Sequence, residues 1–130
     1  VPNMNPERLE SFNKAIKELQ DFHSAGIWDM LFFLNIAPDI SLDGKEFING
    51  IHNSINNYFV DILGSNGTPV ISSYDAFWSY SPLEVPEAGG HSLATANKVK
   101  ASLLLNYFIS KYENSLECLN ENVLCTENKN

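Results

Sequence analysis

Tyr74, Phe77, Trp78 and Tyr80 fall within seven residues, in a stretch otherwise built of Ser, Asp and Ala. Tyr and Trp dominate the energetics of protein–protein contacts, because each offers a large apolar face with a polar tip. The segment continues through Leu83-Glu84-Val85-Pro86-Glu87 to Gly89-Gly90-His91. It thus sets Glu84 and Glu87 on a proline-stiffened backbone beside a glycine pair that permits close approach. Such a loop suits insertion into another protein's cleft, with Tyr74, Phe77, Trp78, Tyr80, Glu84, Glu87, Gly90 and His91 as the binding set. The competing reading folds the aromatics, Phe77 and Trp78 foremost, back onto the core as a lid.

Catalytic patterns are missing from the sequence. There is no GxSxG, no phosphate-binding GxxxxGK[ST], no HExxH and no GxGxxG. His23, His52 and His91 are scattered; His23 closes an apolar helical stripe as a structural histidine, and His52 falls on a polar helix face. Carboxylate pairs for glycoside hydrolysis carry no signal in a chain with 16 acidic residues. The expectation is a non-enzyme without cofactor or metal.

Cys118 and Cys125 are the only cysteines. Their even number and short spacing fit one disulfide and an oxidising compartment, while two buried thiols are the alternative. Residues seven apart in one helix are separated by roughly 10.5 Å of rise, and a disulfide needs Cα atoms within about 7 Å. A bonded pair therefore requires the helix to break, most naturally at Asn120-Glu121-Asn122. The spacing is not that of a zinc site, and no histidine is near in sequence.

The elements that must position these residues read as helices. Asn5 caps a helix begun by Pro6, with Leu9, Phe12, Ile16, Leu19 and His23 as its apolar stripe and Ala25-Gly26 as its stop. Ile27 to Ile36 is apolar on nearly every face, which suits a short buried helix or a buried strand. Asp43 and Glu46 have the spacing of a capping box for a helix that buries Phe47, Ile48, Ile51, Ile55, Tyr58, Phe59 and Ile62 and stops at Gly64. Residues 65–90 form a long irregular connection with one helical turn over Asp75 to Ser79. Ser92 caps a further helix to about Tyr112, burying Ala96, Val99, Leu103, Leu104, Tyr107 and Phe108, and a short helical segment follows around Leu116 and Leu119. The expected fold is all-α: one compact bundle of four to five helices over residues 1–125, with a frayed tail at 126–130.

The net charge of −8, with Arg8 as the only arginine, argues against nucleic acid and anionic membrane partners and favours a basic protein. No apolar run approaches the ~18 residues of a membrane span. The chain opens on Val1-Pro2-Asn3 rather than a signal peptide, as either a protein that never carried one or a mature exported form would. Asn66-Gly67-Thr68 matches the N-glycosylation pattern, which an asparagine-rich chain produces by chance.

The acidic character, size, cysteine pair and mature-looking start resemble the small periplasmic immunity proteins of the bacterial type VI secretion system. Phe47-Ile48-Asn49-Gly50-Ile51 is similar to the aromatic-x-x-Gly-aliphatic helix of one such family. The resemblance implies a periplasmic inhibitor that blocks a secreted peptidoglycan hydrolase effector, with the Tyr74 to His91 loop as its inhibitory element; it leaves a homodimer open. The rival expectation is an exported helical carrier of a small apolar ligand, with Ile27 to Ile36 lining the cavity.

Overall fold

The computed structural model describes residues 5–88 and 90–120, with side chains to residue 113. It corrects the all-α expectation. Among the described residues, four α-helices are joined by three two-stranded sheets, a mixed α/β architecture.

Helix α1 (Pro6–Ser24) follows its sequence signals closely. The Asn5 side chain accepts the Glu7 N–H at 2.9 Å, and the helix stops before Ala25 and Gly26, the latter at φ 73°. Strand β1 (Phe32–Leu34) lies in the apolar segment that suited either a short buried helix or a buried strand. A short apolar run cannot tell helix from buried strand. Its partner decided the outcome: β1 pairs in parallel with β4 (Val70–Ser72), Phe32 opposite Val70 and Leu34 opposite Ser72.

The second correction concerns Asp43 and Glu46. Strands β2 (Asp39–Ile40) and β3 (Phe47–Ile48) form an antiparallel hairpin, and Asp43 sits in its loop. Its carboxylate accepts from Ser41 Oγ at 2.7 Å and from Lys45 N–H at 3.0 Å, while Gly44 takes φ 75°. These bonds, the Ser41 hydroxyl first, hold the Asp43 carboxyl below its ordinary value. Helix α2 (Ile51–Gly64) therefore starts eight residues after Asp43, although it stops at Gly64 as expected. Its start is capped from a distance: the Asp39 carboxylate, on β2, accepts the His52 N–H at 2.9 Å. Gly50 makes room, since a Cβ there would stand 2.5 Å from Asp39 Oδ2.

The long connection holds more structure than its composition suggests. After a 3-10 turn (Ser65–Gly67) come β4, the single-turn helix α3 (Tyr74–Phe77), and a hairpin of β5 (Glu87–Ala88) with β6 (His91–Ser92). Ser92 lies in β6, so α4 (Ala94–Asn120) opens one residue later than a Ser92 cap would place it and continues beyond Tyr112. Cys118 lies within α4. Cys125 falls outside the described residues, and with it the disulfide, the helix break beyond Asn120 and the expected frayed tail at 126–130.

The packing centres on Phe77, Val85 and Ala96, which bring α3, the 81–86 turn and α4 together, with Ala37, Phe47 and Val99 against them. A second contact joins α1 to α2. Phe12 meets Phe59 edge-on at 5.6 Å, and the buried Gln20 amide donates to the carbonyls of Ile62, Leu63 and Ser65 at 3.0 Å each. Ser73, fully buried, ties β1 to α3: its hydroxyl donates to Ile36 O at 2.6 Å and accepts the Ile36 N–H at 2.9 Å. Far along α4, Lys111 and Tyr112 both bond Asp29 at 3.1 Å, pinning the 27–29 loop to the helix.

Candidate functional site

The eight residues of the expected binding set divide into three groups. Tyr74 and Phe77 are core, 3% and 1% exposed, because α3 turns them inward under α4. Trp78, Tyr80 and Glu84 remain outside, the two aromatics 43% and 40% exposed, and Leu83 beside them, not in the expected set, is 71% exposed. Glu87, Gly90 and His91 belong to the β5–β6 hairpin and line a separate cleft.

The outward group is held firmly from beneath. Trp78 packs edge-on against Tyr74 at 6.0 Å and Phe47 at 6.4 Å, so one face is seated while the other meets solvent. Backbone bonds from Ser79 N–H to Ala76 O and from Tyr80 N–H to Phe77 O continue the α3 turn. The Glu84 carboxylate accepts the Ser81 N–H at 2.6 Å and closes the next turn, and Val85 plugs it into the core. Tyr80 also borders a groove of ≈ 500 Å³ whose other wall is Thr95, Lys98, Val99 and Leu103 of α4. Exposed aromatics of this kind, Trp78 packed from beneath and Tyr80 at the groove, are the residue types in which contact hot spots are enriched.

The cleft of ≈ 660 Å³ lies between the two hairpins and the first turns of α4. Its polar walls are Asp39, His52, Glu87, His91, Asn97 and Lys100, and Phe47, Phe77 and Val85 supply its apolar floor. His52 Nδ1 stands 2.9 Å from Ala37 O. A carbonyl only accepts, so Nδ1 carries the proton of that bond and the neutral ring has Nε2 left as acceptor. Asp39 Oδ1 is 3.7 Å from the same Nδ1. Lys100 is 8% exposed, bonds the Ser92 hydroxyl and stands 5.6 Å from the Phe77 ring centroid. Ser92 Oγ lies 3.4 Å from Glu87 Oε1.

Sequence reasoning missed Lys100, Asp39 and the placement of His52. For Lys100 a signal existed: it falls four residues after Ala96 and three before Leu103, on the apolar stripe of α4. A lysine on a core stripe is unusual enough to question. For Asp39 none existed, because its cap crosses a hairpin. Among the described residues no three His, Cys, Asp or Glu side chains converge as a metal site would need, and no helix is long and apolar enough to cross a membrane.

The chain matches no protein-family model, no curated protein and no solved structure at a significant level.

Proposed function

We propose that the protein is a binding domain without catalytic activity that inhibits a protein partner through the Trp78–Glu87 segment. One observation carries the reading: Trp78, Tyr80 and Leu83 stand exposed on a segment whose alternate residues, Tyr74, Phe77 and Val85, are driven into the core. Such anchoring supports high affinity, since little conformational freedom is left to lose on binding. Glu84 follows the exposed aromatics on the next turn, and the net charge of −8 would steer a basic partner toward this surface.

The resemblance to type VI immunity proteins supplies the partner class, a secreted peptidoglycan hydrolase, and the compartment, the periplasm. The apolar-carrier alternative gains less support. Ile27 and Trp28 are 60% and 51% exposed, and Ile27 borders a shallow surface groove with Phe22 and Ala25 rather than an enclosed apolar cavity.

Titration calorimetry against muramidase and amidase effectors, with co-expression rescue, tests the proposal. A stoichiometric complex should form, and Trp78→Ala or Tyr80→Ala should each weaken it by about 10-fold or more, the scale of a hot spot. Full affinity in the double variant would remove the segment from the interface. Absence of any complex across both effector classes would remove the partner class.

A further inference from the structure

The cleft between the hairpins is a second site, and its chemistry differs from that of the aromatic surface. Lys100 lies on the inner face of α4 and is nearly enclosed, yet among the described residues no carboxylate lies within 4.0 Å of its ammonium. An ammonium carries three donors. The Ser92 hydroxyl takes one, and the Phe77 ring offers only its face. A buried cation without an anion is costly, so the position calls for a counter-ion.

The two acids of the cleft do not supply it. Asp39 spends its charge on the His52 N–H and ring, and Glu87 reaches the lysine only through Ser92. The first turn of α4 adds the positive end of a long helix beside Ser92 and Asn97.

We propose that this cleft binds a small organic monocarboxylate, with the Lys100 ammonium as its counter-ion and Phe47, Phe77 and Val85 against its apolar body. A single lysine matches a single charge. A phosphate would bring nearly two negative charges into a cleft whose other charged walls include the acids Asp39 and Glu87. The volume of ≈ 660 Å³ falls in the small-molecule range. Because Glu87, Gly90 and His91 form one wall, an occupied cleft would also brace the β5–β6 hairpin against α4.

The site is independent of the protein-partner reading and is tested on the isolated full chain. Amide NMR titration with 3-phenylpropanoate should give saturable shifts at His52, Phe77, Asn97 and Lys100, with Kd of about 1 mM or tighter. Benzylamine should give none, and phenyl phosphate should bind more weakly. Lys100→Met, whose folding the same spectra report, should lose at least about 10-fold. Ser92→Ala keeps the lysine but removes its one acceptor, so it should bind as tightly as the parent or several-fold tighter. No saturation by about 20 mM, equal binding of benzylamine, tighter binding of phenyl phosphate, or weakening by Ser92→Ala would each overturn the assignment. Undiminished affinity in a folded Lys100→Met variant would do the same.

Discussion

Replacing Gln20 by glutamate should unlatch α1 from α2, and the size of the effect follows from the contacts. The Gln20 side chain is 2% exposed, and its Nε2 stands 3.0 Å from each of three carbonyls and 3.1 Å from Ser65 Oγ. Two amide hydrogens are therefore shared among four acceptors at the C-terminal end of α2, where carbonyls have no partner of their own within the helix. Gln20→Met keeps length and volume but removes both donors. Two lost bonds at about 1 kcal/mol each, with a partly orphaned carbonyl, give a loss of about 2–3 kcal/mol. Gln20→Glu removes the same donors and aims a carboxylate at those oxygens and at the negative helix end, so the loss should reach about 4 kcal/mol or more at neutral pH.

The pH dependence separates the two variants. Facing carbonyl oxygens, the introduced carboxyl should titrate above its value of about 4.3 in an unfolded chain. The folded state then holds the proton more tightly. The extra deficit is therefore absent below about pH 4, grows as pH rises toward the folded value, and is complete above it. Urea denaturation followed by far-UV circular dichroism, at acidic and neutral pH, measures this directly. If Gln20→Glu matches Gln20→Met at neutral pH, the amide does not serve as the latch described.

Three further outcomes can be checked. The Tyr74 hydroxyl is buried without a partner among the described protein groups, so Tyr74→Phe should leave stability unchanged or raise it by up to about 1 kcal/mol in denaturant melts; a larger loss would reveal a bonded hydroxyl. Gly50→Ala should displace the Asp39 carboxylate from the α2 start and cost about 1–2 kcal/mol, and most of that cost should vanish in an Asp39→Ala background. The Asp29 carboxyl is held below its ordinary 3.8 by the Lys111 hydrogen bond, then by that of Tyr112. Burial opposes protonation of Lys111, but its bonds to Asp29 and Tyr107 outweigh that and raise its value. The Asp29 contribution to stability is thus present above the unfolded value and disappears as pH falls through the folded one. In Lys111→Met the NMR-detected midpoint of Asp29 should move back toward 3.8; no movement would contradict the pin.

What the sequence revealed tracks how local each determinant is. Asn5 and Pro6 act within one turn, so α1 could be read to the residue. Gly64 ended α2 for the same reason. Asp43 misled because the residue types that cap helices also close hairpin loops, and the choice lay with the Asp39–Ile48 pairing. Phe32–Leu34 became a strand because of Val70–Ser72, a partner no local window contains. At the candidate surface the cluster of aromatics was visible, but not which would turn inward: Phe77 and Trp78 are adjacent, and the single turn of α3 sends one to the core and leaves the other outside. The cleft was the least legible part, since it is assembled from β2, α2, the β5–β6 hairpin and α4.

The parallel pairing of β1 with β4 bears on how the chain reaches this structure. Residues 32–34 and 70–72 can meet only after the intervening chain has closed on itself, and three short rungs reward that closure. If α2 forms first, much of the intervening chain becomes a rigid rod and less freedom remains to be lost. Folding speed should then be governed by helix formation in α2 rather than by the strands themselves. Substitutions at Asp39 and Gly50, which act at the start of α2, would slow folding, whereas changes at Phe33 or Ile71 would chiefly hasten unfolding. The sheet is in that sense a clasp: it fastens late and governs how long the native state lasts.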